Sequence, residues 1–156
     1  MHYPRQVIEL AERLRRRRYI LSLETSGMII NHDVFMQFNY LSLDIKTPSS
    51  GVLVFEELIK EYLHIRETYE GAQFKCVITN AEDLKWVEDN LRPMYVTGHM
   101  KTNPLVLTPG VMNTAKSIKQ QELNTKLHEV MQMIVDWNRQ YNIRVVPQIH
   151  QLLRFD

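Results

Sequence analysis

Five places in this chain put polar or ionisable groups directly after a short apolar run. They are Glu24-Thr25-Ser26-Gly27, Asp44-Ile45-Lys46-Thr47-Pro48, Thr79-Asn80, Thr108-Pro109-Gly110 and Gln148-Ile149-His150. If each run is a strand of a parallel sheet, these groups collect at the C-terminal strand ends, where α/β folds bind ligands. Carboxylates, an ammonium and an imidazole gathered there could hold a polar ligand through charge-assisted hydrogen bonds. Each residue has a plainer alternative. Glu24 can be a solvent-facing carboxylate at a strand end. Lys46 can be a loop lysine, and Asp44, which alternates with Ser42, can simply pair with it. Gln148 and His150 share one side of a strand, where a lone histidine can be structural. Asn80 has the position of a helix cap.

Other chemistries find no support. His2, His32, His64, His99, His128 and His150 show no paired metal-ligand spacing. There is no Gly-rich phosphate loop and no nucleophile elbow. The run Arg15-Arg16-Arg17-Arg18 admits a nucleic-acid reading. It also reads as the solvated end of a helix, where cations suit the macrodipole, so direct nucleic-acid binding ranks last. The formal net charge of +1 gives no bulk attraction to nucleic acid or anionic lipid. No apolar run approaches a bilayer-spanning length, and Met1-His2-Tyr3-Pro4 does not open a secretory signal. No membrane partner is expected. The single cysteine, Cys76, excludes an internal disulfide and fits a reducing cytoplasm.

The elements that must position these groups alternate along 156 residues, a length that suits one domain. With 44% hydrophobic residues there is enough apolar side chain for a core. The apolar spacing predicts helices over 5–17, 33–38, 54–68, 81–90 and 114–140. Pro4 suits the first helical turn, and Asn31 or Asp33 and Asn80 suit N-caps. Short apolar strands are expected over 19–23, 40–45, 74–78, 105–107 and 143–149, with a turn-rich loop at 46–51. This alternation predicts an α/β fold, a parallel sheet with crossover helices.

Three segments carry a family resemblance. Leu23-Glu24-Thr25-Ser26-Gly27 resembles the E-T-N-G strand end of 7-carboxy-7-deazaguanine synthases, with Ser26 where that family usually has asparagine. Tyr40 to Gly51 resembles the D-x-K-x-P-S-S-G strand of the archaeal-type members, and Arg144-Val145-Val146-Pro147-Gln148-Ile149-His150 resembles their closing R-x-x-P-Q-x-H strand. These are radical S-adenosylmethionine lyases of queuosine and archaeosine biosynthesis, a tRNA modification pathway. They contract 6-carboxytetrahydropterin to 7-carboxy-7-deazaguanine with loss of ammonia, using a [4Fe–4S] cluster and Mg.

The resemblance implies a partial, half radical-SAM-type α/β barrel. Glu24 would lie in the pocket shared by S-adenosylmethionine and substrate. Lys46, with Ser42 and Asp44 nearby, would sit by the methionyl end of the cofactor. Gln148 and His150 would face the pterin, and the α-carboxylate of Asp156 could close the pocket unless it stays solvated. The family's cysteine triad and its G-G-E-P strand end are absent, and Met1-His2-Tyr3-Pro4 resembles the family's segment directly after G-G-E-P. The expectation is therefore the C-terminal half of such a synthase: a split gene, an internal start or a truncated product. One cysteine cannot hold a cubane cluster, so no metal is assigned to this chain and it would be inactive alone. The alternative is a non-catalytic remnant that oligomerises or binds a small ligand. A half barrel would also leave strand 19–24 with an unpaired edge and an apolar inner face. A homodimer, or a complex with the missing half, is expected to cover them.

Overall fold

The computed structural model describes residues 3–96, 104–111, 120–139, 141 and 143–147. Strands β1 (Ser22–Thr25), β2 (Tyr40–Ile45), β3 (Ala72–Ile78), β4 (Leu105–Pro109) and β5 (Arg144–Val145) form one sheet. Their order is β1-β2-β3-β4-β5, and every neighbouring pair is parallel. Helix α1 (Pro4–Arg16) precedes the sheet. Helices α2 (His32–Phe35), α3 (Glu56–Thr68), α4 (Ala81–Leu91), α5 (Pro93–Val96) and α6 (Gln120–Asn138) lie in the connections. When consecutive strands are neighbours, right-handed crossovers bring every connecting helix to the same face.

Burial agrees with that rule. Leu41, Leu43 and Ile45 of β2, Phe74, Cys76 and Ile78 of β3, and Leu105 and Leu107 of β4 pack in one core. Their partners include Phe35, Tyr62, Ile65, Leu84, Val87 and Ile134 from the helices. The intervening residues of β1 to β3 project to the other face: Ser22, Glu24, Tyr40, Ser42, Asp44, Gln73, Lys75 and Val77. No described helix covers that face.

Local sequence explains where the elements begin and end. Pro4 occupies the first turn of α1. Asn31 caps α2 by accepting from the Val34 amide at 3.0 Å, and Asn80 caps α4 by accepting from the Asp83 amide at 3.0 Å. After α1 the chain turns through Arg18, whose φ of 63° lies in the left-handed region.

Two expectations change. The first strand is Ser22–Thr25, not 19–23, and Ile20 is 75% exposed. The Tyr19 amide still bonds back to the Leu14 carbonyl, so residue 19 belongs to the end of α1. Regular pairing starts where β2 starts, at Ser22 beside Tyr40, after Leu21 has been tied to Asn39. Register thus overrides the apolar content of Tyr19-Ile20-Leu21. The face opposite the helices is mostly polar across β1 to β3, Tyr40 and Val77 apart, because strand alternation sends their Leu, Ile and Phe side chains to the helix side. The unpaired edge does hold: β1 pairs only with β2 among the described residues.

Candidate functional site

Strand register brings the sequence-predicted residues together on the open face. Glu24 lies beside Ser42, which lies beside Gln73, and Asp44 lies beside Lys75 one pleat further along. Lys75 reaches across β2 and donates to the Glu24 carboxylate. The same Nζ stands 3.4 Å from Asp44 Oδ1, while Lys46 Nζ stands 3.8 Å from Asp44 Oδ2. Two carboxylates and two ammoniums therefore alternate as Glu24, Lys75, Asp44, Lys46 across three strands. The Lys75 hydrogen bond and charge hold the Glu24 carboxyl below its usual range. Lys75 is raised above the ordinary lysine value, first by its bond to Glu24. Both groups thus remain ionised at neutral pH.

At the C-terminal end of this ladder lies a cleft of about 210 Å³. Asp44, Lys46, Thr47, Ser49, Lys75 and Thr79 contribute to its walls. It shares Thr79, Gly110 and Val111 with a neighbouring cleft of about 300 Å³. Its shape is set by one buried acid. Asp83, fully buried, accepts from Ser49 N at 3.0 Å, Ser49 Oγ at 2.7 Å, Thr79 N at 2.8 Å and Thr79 Oγ1 at 3.0 Å. This ties the 46–51 loop to the end of β3. Thr47 adds a second tie, donating to the Val77 carbonyl at 2.8 Å, and Ser50 donates to the Thr47 carbonyl at 2.7 Å.

Two glycines let backbone segments close in. Gly27 has φ of 70°, and a Cβ there would lie 3.1 Å from the Asp44 carbonyl oxygen. Its own carbonyl accepts from the buried Tyr62 hydroxyl at 3.2 Å. A Cβ on Gly110 would lie 2.5 Å from Val77, so only glycine lets the end of β4 press against β3. The strand-end turn Glu24-Thr25-Ser26-Gly27 is thereby fixed against β2.

Of the residues predicted from sequence, Glu24, Ser42, Asp44 and Lys46 share this face, and Asp44 does pair with Lys46. Gln148, His150 and Asp156 lie outside the described residues. Asn80 is a helix cap, its plainer alternative. Lys75 and Asp83 were missed. Alternation in Ala72-Gln73-Phe74-Lys75-Cys76 could have placed Lys75 opposite the buried set, whereas Asp83 gives no signal beyond its place three residues after a cap.

A larger cleft, about 520 Å³, lies between residues 28–32 and the start of α3. Met28, Ile30, Phe55 and Leu58 give it an apolar wall, with His32, Glu57 and Glu61 at its polar side. His32 is already engaged there, 2.9 Å from Glu61 and 3.0 Å from the Tyr69 hydroxyl. Volume alone favours this cleft, but the smaller one holds the unsaturated charges. Among the described residues no three His, Cys, Asp or Glu side chains are grouped to hold a metal. Cys76 is fully buried and its thiol is pushed up, first by burial, so it is no thiolate donor.

No protein-family model matches the chain, and no curated protein does.

Proposed function

We propose that this chain is the C-terminal part of a radical S-adenosylmethionine lyase like the 7-carboxy-7-deazaguanine synthases, with its open sheet face as one wall of the ligand chamber. The observation that carries the reading is the charged ladder on that face, in which Glu24, Asp44 and Lys46, the residues the family resemblance singles out, are joined by Lys75. Alternating acid and ammonium suit a zwitterion such as the methionyl end of S-adenosylmethionine: Lys46 for the carboxylate, and Asp44 or Glu24 for the amine. The cleft beside Lys46 has room for that end of the molecule. The five sequential parallel strands would then be the partial, half barrel that the resemblance implies. The pterin would lie further along the same face, and the resemblance assigns Gln148 and His150 to it.

The cluster does not fit this chain. One buried, protonated thiol cannot replace a cysteine triad. The cluster-bearing segment would have to lie outside this sequence or on a partner polypeptide, and Mg would be held in the assembled site. The unpaired β1 edge, flanked by exposed Tyr19 and Ile20, is where such a segment or a second copy would add a strand. That edge also supports the second reading, a non-catalytic protein that oligomerises or binds a small ligand.

Calorimetric titration with S-adenosylmethionine tests the proposal. The chain is expected to bind it, and Lys46→Ala to weaken binding about ten- to hundredfold, the worth of one charged hydrogen bond. Turnover of 6-carboxytetrahydropterin is expected only with a polypeptide carrying the cysteine triad added. Four iron and four sulfide bound per copy of this chain alone, or wild-type affinity in Lys46→Ala, would overturn it.

A further inference from the structure

We infer that Lys75 is a specificity-determining residue: it leaves Glu24 to bind the carboxylate of a heterocyclic ligand on the open face, and the freed Glu24 accepts from that ligand's N–H edge. The inference rests on the reading above for the ring and on the ion-pair geometry for the charges.

Four observations lead to it. First, the hydroxyls around the smaller cleft are committed within the protein: Thr47 to Val77, Ser49 and Thr79 to Asp83, and Ser50 to Thr47. Among the described side chains that line this cleft, the donors left for a ligand are the two lysines. Second, Asp44 stands between them at 3.4 and 3.8 Å, longer than the roughly 2.7–2.9 Å of a strong charged hydrogen bond. It positions both ammoniums without saturating either, and each ammonium carries three donors. Third, the Lys75 side chain is 25% exposed, whereas its partner Glu24 is 69% exposed. The lysine is held by the fold, and the glutamate can turn away. Fourth, Lys75 is the ammonium shared between two carboxylates, Glu24 and Asp44, so a third carboxylate entering there competes with one of them. Glu24 is the partner that solvent can receive.

The exchange defines a ligand class. Lys75 takes a carboxylate; Glu24, once released, is an acceptor-only group suited to paired N–H donors such as an aminopyrimidinone edge. A ring carrying both features gains twice, and one lacking the carboxylate leaves Glu24 tied to Lys75. Lys46, on the far side of Asp44, remains available for a second carboxylate. The two lysines would thus keep two anionic ligands in separate places.

Fluorescence titration with 6-carboxypterin and 6-hydroxymethylpterin tests this. Wild type should prefer the carboxylate by about ten- to hundredfold. Lys75→Met should erase the preference, by weakening 6-carboxypterin and by releasing Glu24 to 6-hydroxymethylpterin; Lys75→Arg should restore much of it; and Glu24→Gln added to Lys75→Met should then weaken both pterins. Thermal unfolding of each variant separates loss of fold from loss of contact. A preference retained in Lys75→Met overturns the inference while leaving the synthase reading intact. If wild type binds neither pterin, the synthase reading falls. Pyrazine-2-carboxylate and pyrazine-2-carboxamide, monitored by NMR, then decide the subsite. Lys75-dependent binding of the acid alone upholds it, and no preference overturns it.

Discussion

Replacing Asp83 by asparagine keeps the shape of a buried side chain and removes one acceptor from a group that four donors surround. In the native carboxylate Oδ2 receives Ser49 Oγ, Thr79 N and Thr79 Oγ1, while Oδ1 receives Ser49 N. The least disruptive asparagine keeps its oxygen at the three-donor position and turns its NH2 toward Ser49 N–H. One charge-assisted bond is then lost, about 1.5–3 kcal/mol, and a buried amide faces another donor. The three remaining bonds also lose the benefit of a full charge. The expected cost is about 2–4 kcal/mol, with Asp83→Ala costing at least as much because all four donors lose their partner. At a urea slope of about 2 kcal/mol/M, the asparagine variant should unfold roughly 1–2 M earlier. The loop carrying Lys46 should also lose amide protection in hydrogen exchange before the rest of the sheet does. A urea midpoint within about 0.25 M of wild type, on the same slope, would refute the argument that this carboxylate holds the loop to β3.

Three further outcomes are expected. Gly27→Ala forces a side chain into a left-handed conformation beside the Asp44 carbonyl and should cost about 1–3 kcal/mol in thermal unfolding; an unchanged midpoint would show that the turn relaxes freely. The Glu24 carboxyl is depressed on folding, so its contribution is complete above the ordinary glutamate range and is lost as pH falls through the lower folded value. Lys75 is raised on folding, so its contribution is complete below the ordinary lysine value and is lost as pH rises through the higher folded one. The midpoint difference between wild type and Lys75→Met should therefore be flat from about pH 5 to about pH 10, and a step near neutrality would count against the ion pair. In sedimentation at micromolar concentration the chain should form a dimer or a complex through the β1 edge; a lone species of 18.6 kDa with protected amides at 22–25 would contradict that.

Apolar periodicity located nearly every element, since the sets that pack against helices are Leu, Ile and Phe at helix or strand spacing. Asn31 and Asn80 marked helix starts because their side chains accept from the first turn. Strand pairing was less legible. Tyr19-Ile20-Leu21 looks like a strand by composition, yet only Leu21 meets the hydrogen-bonding partners that Asn39 and Tyr40 supply. The site was legible as residue types at strand ends, which brought out Glu24, Asp44 and Lys46. Their arrangement was not, because Lys75 joins them from 51 positions beyond Glu24 through the register of three strands. Asp83 stayed hidden for a similar reason: its donors come from the 46–51 loop and the end of β3. A barrel wall calls for apolar cover, whereas alternation within β2 and β3 assigns Ser42, Asp44, Gln73 and Lys75 to that face.

The central claim is that the polar sheet face, and not the larger cleft beside α3, receives the ligands. Amide chemical shifts recorded during titration with S-adenosylmethionine and 6-carboxypterin test it most directly. Shifts should cluster at Glu24, at residues 42–47 and at residues 73–77, and they should diminish in Lys46→Ala and Lys75→Met. Shifts centred instead on Met28, His32, Phe55 and Glu61, or no response to either ligand at millimolar concentration, would contradict it.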